Sequence, residues 1–160
     1  MLNYGSKPVI LVGHGCRMAG ADMAKLSSLG IPLLFSWQAM DLLDSDHAMN
    51  FGRCGLYGQR CANKVLYNAD TVIAIGCRMS IWQCGYDDRN FAPNARIVMV
   101  DIDQTELDAK PHAEHILMDA AKFVETLQPA EFGNWVKQCQ HWLAIYPWVE
   151  SPAHDDTEYI

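Results

Sequence analysis

The sequence has 160 residues, of which half are apolar and 19% are charged, a composition typical of one globular domain with its own core. Lysine and arginine number 12 and aspartate and glutamate 19, so the formal net charge is −7, which argues against nucleic acids and anionic membrane surfaces as partners. No apolar run approaches the about 20 residues of a membrane span, and the N-terminus lacks a signal-peptide layout, so we expect a soluble, cytoplasmic protein.

Five short apolar runs predict β-strands. Each run borders a turn-forming residue, and most are rich in β-branched side chains. They are apolar throughout rather than alternating with polar residues, which is the pattern of parallel strands covered on both faces. The runs are residues 8–12, 32–35, 71–75, 97–100 and 115–118.

The segments between these runs have helical spacing. We predict helices over 18–29, where Gly30 supplies the stop, over 59–68, over 120–127 with Asp119 as N-cap and over 131–145, and a short helical turn at 105–109. Strands that alternate with helices in this order indicate a doubly wound, Rossmann-like α/β fold, with a mostly parallel sheet and helices on both faces.

The six cysteines allow either three disulfides or a metal site. No two are spaced C-x-x-C, and without an export signal we expect reduced, buried thiols. His112 and His115 lie three residues apart, but no nearby thiol or paired carboxylate completes a zinc site, so we assign no metal ligand. The cysteines are Cys16, Cys54, Cys61, Cys77, Cys84 and Cys139.

The first strand is followed by a glycine-rich turn. In open parallel sheets, ligands bind beyond the carboxyl ends of the strands, and Gly13, Gly15 and Cys16 stand at that point. Such a turn can bring backbone N–H groups close to a phosphate. It departs from G-x-G-x-x-G at Met18, and the second strand ends without an acidic residue for a ribose. A glycine-rich turn without any ligand is therefore the alternative.

Charged side chains follow the third and fourth predicted strands. Gly76 and Arg78 follow residues 71–75, and Arg78 could pair with a phosphate, stack on an aromatic ring or form only a surface salt bridge. Asp101, Ile102 and Asp103 follow residues 97–100, and the two carboxylates could accept hydrogen bonds from ribose hydroxyls or an adenine amine. The alternative is capping of the next helix, for which Asp103 is better placed than Asp101.

Two further segments complete the predicted rim. Residues 36–41 follow the second strand, and residues 52–60 carry glycines at 52, 55 and 58, either as a second backbone cradle or as a loop with positive φ angles. The sequence contains no G-x-S-x-G, G-x-x-x-x-G-K-[ST] or H-E-x-x-H motif, so we assign no catalytic residue. The residues alone predict a nucleotide-binding site at the carboxyl ends of the strands, without catalytic residues.

Four segments, in this order and spacing, resemble the central domain of thiamine-diphosphate-dependent enzymes, most closely the acetolactate-synthase-like branch. They are PVILVGHG at 8–15, GxxGxxGxRxAN at 52–63, NADTVIAIGCRM at 68–79 and VMVDIDQTEL at 98–107. The resemblance covers about residues 7–128.

This resemblance implies a six-stranded parallel sheet of the DHS-like NAD/FAD-binding type. The family's central domain binds FAD in acetolactate synthases, and ADP or nothing in relatives. Residues 79–86 depart from the acidic, arginine-containing loop of acetolactate synthases, as in relatives whose flavin site is lost or altered. We expect this domain either to bind FAD or ADP or to keep only a vestigial nucleotide site. The implied nucleotide-binding residues are Gly13, Gly15, Cys16, Gly76, Arg78, Asp101, Ile102 and Asp103.

The resemblance also implies missing partners. Family enzymes hold thiamine diphosphate and magnesium in two outer domains, one with a G-D-G motif that is absent here. We expect residues 1–6 to be a linker, 7–145 a central domain and 146–160 a linker toward the missing cofactor-binding domain of a parent homodimer or homotetramer. The parent would decarboxylate a 2-keto acid and transfer the product, as a lyase or transferase, whereas this chain alone would not catalyse. The alternative is a free-standing, non-catalytic nucleotide-binding accessory module of the same fold.

Overall fold

Six strands form one fully parallel sheet in the part of the chain that the structure describes. A computed structural model of the chain describes residues 2–148. The strands are β1 (Pro8–Val12), β2 (Leu33–Phe35), β3 (Asn50–Arg53), β4 (Thr71–Ile75), β5 (Arg96–Asp101) and β6 (Glu114–Leu117). Their order in the sheet is β3-β2-β1-β4-β5-β6. The order reverses between β1 and β4, so the predicted doubly wound, Rossmann-like fold is confirmed.

Seven α-helices cover the two faces of the sheet in the described part of the chain. They are α1 (His14–Ala19), α2 (Met23–Ser28), α3 (Arg60–Asn68), α4 (Ile81–Cys84), α5 (Gln104–Asp108), α6 (Ala120–Thr126) and α7 (Gly133–Ile145). Helices α1, α2 and α6 pack on one face, and α3, α5 and α7 on the other. Within residues 2–148, no helix combines the length and apolarity that a membrane crossing requires.

The central strands are buried on both faces. In β1, Ile10 and Val12 pack toward α1, α2 and α6, whereas Val9 and Leu11 pack toward α3 and α7, and all four side chains are fully buried. Each such side chain contributes roughly 1.5–3 kcal/mol through removal of apolar surface from water. This two-sided burial explains why the strands are continuous apolar runs.

Strand β3 was not among the five strands predicted from apolar runs. We expected residues 52–60 to form a second backbone cradle or a loop with positive φ angles, but residues 50–53 pair with β2 at the edge of the sheet. The register shifts between Leu33 and Phe35, and Gly52 adopts φ +92°, as expected at a β-bulge. The six strands that the family resemblance implied are therefore present, the sixth as a short edge strand.

The single helix predicted over residues 18–29 is wrong. The structure has two helices there, because Gly20 ends α1 in the left-handed region with φ +66°. Asp22 then starts α2 by accepting a hydrogen bond from the Lys25 N–H at 2.9 Å. The later helices agree with the prediction to within two residues, and Asp119 caps α6 as expected. Helix α4 was not predicted. The predicted C-terminal linker lies, from residue 149 onward, outside the described residues.

All six cysteines are buried and free, which confirms the prediction of reduced thiols. Burial raises the pKa of the Cys61 and Cys77 thiols to about 11 and that of Cys84 to about 12, from an ordinary value of 9.0. The native state therefore keeps protons that an unfolded chain would release above pH 9.

We expect the free energy of unfolding to fall as the pH rises from 9 toward 11. Thiols of the unfolded chain ionise near pH 9, while the buried thiols of the native state stay neutral. Each thiol that is ionised only in the unfolded state therefore lowers the free energy of unfolding by about 1.4 kcal/mol per pH unit. Urea unfolding at a series of pH values, with reductant present, measures this slope. Cys61→Ala should make the slope shallower than in the wild type, and equal slopes would contradict this assignment.

Candidate functional site

A cavity of about 970 Å³ opens at the carboxyl edge of the sheet. The turns that follow β1, β4 and β5 all reach it. The predicted site residues that line it are Gly15, Gly76, Arg78, Asp101, Ile102 and Asp103. Gly13 and Cys16 do not line it, and the Cys16 thiol is buried below, where it donates to the Ile75 carbonyl at 3.3 Å. The structure thus brings most of the predicted residues together.

The turns after β1 and β4 lie in direct backbone contact. Gly13 N–H donates to the Ile75 carbonyl and Gly15 N–H to the Gly76 carbonyl, both at 2.9 Å. A Cβ on Gly13 would lie 2.1 Å from the Gly76 oxygen, and one on Gly15 would lie 2.6 Å from the Gly76 Cα. Gly76 itself has φ +56°. These glycines are therefore required by the contact between turns, whether or not a ligand binds.

Arg78 lies at the mouth of the cavity. Its side chain is 77% exposed, and its Nε lies 3.1 Å from Glu106 Oε1 on α5. The salt bridge that the sequence left open as an alternative is therefore present, on a residue that also faces the cavity. The next residue, Met79, is buried and has φ +49°, which is uncommon for a side chain with a Cβ and fixes the course of this turn.

The two aspartates after β5 have different surroundings. Asp103 caps α5, because its Oδ1 accepts from the Thr105 hydroxyl at 2.6 Å and from the Thr105 N–H at 2.8 Å. These hydrogen bonds hold the pKa of the Asp103 carboxyl below its ordinary value, and the charge of Arg78 adds to the effect. Asp101 accepts from the Asp103 N–H at 3.0 Å and also lines the cavity. The cap leaves Asp101 as the better acceptor for a ligand hydroxyl.

Aromatic side chains form the opposite wall of the cavity. Trp37, Tyr57 and Trp82 are 45%, 62% and 60% exposed, and the Tyr57 and Trp82 ring centroids lie 5.9 Å apart. The Arg53 guanidinium stacks on Trp37 at 3.8 Å from the ring centroid. The sequence predicted that residues 36–41 and 52–60, which contain Trp37 and Tyr57, lie on the rim, but it did not single out these rings. Their exposure within one cavity marks them as candidate stacking surfaces.

The glycine-rich loop after β3 is not a second cradle for this cavity. Gly55 has φ +123°, and a Cβ there would lie 2.9 Å from the Trp82 carbonyl oxygen on α4. The Gln83 side chain is buried and donates to the Cys54 carbonyl at 2.7 Å. The loop and α4 are thus in close contact, which holds Tyr57 beside Trp82. This favours a loop whose glycines are needed for their positive φ angles over a second backbone cradle.

Comparison with known proteins identifies the family. The model of the thiamine pyrophosphate enzyme central domain matches residues 1–127. The chain belongs to this family. The extent of this match agrees with the resemblance predicted over residues 7–128, so that prediction is confirmed.

Among residues 2–148, no group of three or more histidine, cysteine, aspartate or glutamate side chains could hold a metal ion.

Acetolactate synthases are among the relatives. The chain is 33% identical to the probable acetolactate synthase large subunit of Methanocaldococcus jannaschii over 89% of its own length and 25% of that protein. It is 30% identical to the acetolactate synthase isozyme 1 large subunit of Escherichia coli over 88% of its length, and 30% identical to the acetolactate synthase of Mycobacterium leprae over 96%. The chain spans about a quarter of the length of the curated relatives it matches, as the central domain of acetolactate-synthase-like enzymes.

We expect Gly13→Ala to lower the free energy of unfolding by at least about 2–3 kcal/mol, because the new Cβ would collide with the Gly76 backbone. Gly133→Ala is the matched control, since a Cβ there meets nothing within 4 Å and alanine favours helix α7. Urea unfolding of both variants measures the difference. Equal stabilities would show that the turn tolerates a side chain at position 13.

Proposed function

We propose that this chain serves as the middle, nucleotide-binding domain of a larger thiamine-diphosphate-dependent enzyme that decarboxylates a 2-keto acid and ligates the product to an acceptor. The observation that carries the proposal is the family match together with the chain's share of its relatives, about a quarter. Residues 7–145 would form the domain, and 1–6 and 146–160 its linkers.

Thiamine diphosphate and magnesium would be held by the flanking domains of the parent. Support for this comes from the family description and from the absence of a G-D-G motif in the sequence. When bound, thiamine diphosphate supplies the electron sink for decarboxylation. The parent would be a cytoplasmic homodimer or homotetramer, and this chain would contribute its adenine-nucleotide site, for FAD or ADP.

The lining of the cavity fits an adenine nucleotide. Its volume is near the upper end of ordinary ligand pockets, about 300–1,000 Å³, which leaves room for a dinucleotide. Carboxylates follow β5 and β6, exposed aromatic rings follow β2, β3 and β4, and the glycine turns follow β1 and β4. One half suits ribose hydroxyls and an adenine amine, and the other suits a flat ring.

Each candidate residue has a definable part in such a complex. Asp101 would accept hydrogen bonds from ribose hydroxyls or the adenine amine, with Asp103 beside it as the fixed cap of α5. Arg78 would pair with a phosphate oxygen or stack on a ring. Trp37 and Trp82 would stack against an aromatic ring, and Gly15 and Gly76 would let the ligand approach the backbone closely.

We expect Arg78→Ala and Asp101→Ala each to weaken adenine-nucleotide binding roughly tenfold or more, because each removes a charged hydrogen-bonding partner. Calorimetry of the 160-residue chain with FAD and with ADP measures this. Arg89→Ala is the control, since Arg89 is 70% exposed and ion-paired to Asp87 but does not line the cavity. Unchanged affinity in both test variants would remove the site assignment, and no binding by the wild type at millimolar concentrations would make the site vestigial.

The 160-residue chain supplied with thiamine diphosphate, magnesium and pyruvate should release no carbon dioxide above the background rate. A gene whose reading frame continues past Ile160 into a segment with Gly-Asp-Gly should encode a polypeptide that does. Turnover by the 160-residue chain would contradict the assignment as a middle domain. A stop codon directly after Ile160 would favour the accessory module instead.

A further inference from the structure

The cavity carries more negative than positive charge. Four carboxylates line it, from Asp101, Asp103, Glu106 and Asp119. Among the described residues of the lining, Arg78 is the one arginine or lysine. The formal charge of the lining is therefore about −3 with neutral histidine, an unusual surrounding for a ligand with free phosphates.

Glu106 forms an ion pair with Arg78 at the edge of the cavity. The Arg78 Nε lies 3.1 Å from Glu106 Oε1, and the glutamate side chain is 27% exposed against 77% for the arginine. Glu106 lies on α5, whose first turn is fixed by the Asp103 cap. The carboxylate is thus the better-fixed partner, and it neutralises the guanidinium at the place where a phosphate would need it.

The chemical groups of adenine ligands meet this lining differently. A nucleoside carries no phosphate, and its hydroxyls and amine can donate hydrogen bonds to carboxylates. A dinucleotide keeps its diphosphate internal, with one charge on each phosphate. A nucleoside diphosphate ends in a doubly charged phosphate, and each like charge about 6 Å away from it lowers affinity roughly tenfold in a water-like dielectric without salt.

From this geometry, and resting on the proposed nucleotide site, we infer that Glu106 determines ligand specificity. By pairing with Arg78 and adding a fourth carboxylate, it makes the cavity favour an adenine nucleoside, or a dinucleotide with an internal diphosphate, over nucleotides with a terminal phosphate. Glu106 contributes a charge to the cavity and competes with the ligand for Arg78.

Calorimetry with adenosine and with ADP tests this inference on the 160-residue chain. Magnesium is removed with EDTA so that ADP keeps its full charge, and each titration is run at 50 mM and 500 mM NaCl. The test variant is Glu106→Gln. The matched control is Glu114→Gln, because Glu114 also pairs with an arginine, Arg96 at 2.9 Å. Glu114 is the first residue of β6 and lies at the amino ends of the parallel strands, whereas the cavity lies at their carboxyl ends. Both variants change the net charge equally.

We expect wild-type ADP affinity to be no higher than that of adenosine and to rise with salt, because salt screens repulsion. Glu106→Gln should raise ADP affinity about threefold to tenfold while adenosine affinity stays within twofold, and Glu114→Gln should match the wild type. Unchanged or lower ADP affinity in Glu106→Gln, or wild-type ADP binding that weakens with salt, would overturn the inference and leave the nucleotide site standing if adenosine binds. Binding of neither ligand to any variant would overturn both.

Discussion

The backbones of Gly15 and Gly76 touch where the strand order reverses, and much of the molecule depends on that contact. The hydrogen bond from the Gly15 N–H to the Gly76 carbonyl continues the pairing of β1 and β4 past their ends. Side chains at these positions would separate the two turns. The chain runs from β1 to β2 on one side of this contact and from β4 to β5 on the other, so a cavity opens at the carboxyl ends of the strands where the order reverses.

The two sides of this cavity differ in chemistry because the segments after different strands supply them. Trp37 follows β2 and Tyr57 follows β3, whereas Asp101 follows β5 and Asp119 follows β6. The apolar side chains of the central strands pack against helices on the two faces of the sheet, so polar and exposed aromatic side chains lie at the rim. This division links the fold to the proposed binding of a ligand with one polar and one aromatic end.

Local signals explain which features could be predicted from the sequence. Strands β1 and β4 are continuous apolar runs because both faces are covered, and Asp119 and Asp103 lie directly before the helices they cap. Strand β3 escaped prediction because its pairing with β2 and the bulge at Gly52, rather than an apolar run, define it. The Arg78 and Glu106 pair joins segments 28 residues apart, and the aromatic wall joins three segments, so both are visible only in three dimensions.

A crystal structure of the 160-residue chain grown with saturating adenosine or FAD tests the central claim most directly. We expect electron density for the ligand between the aromatic wall and the Asp101 carboxylate, with its chain of atoms passing over the contact between Gly15 and Gly76. Ligand density elsewhere on the surface, or a bound ligand that leaves this cavity to solvent, would contradict it.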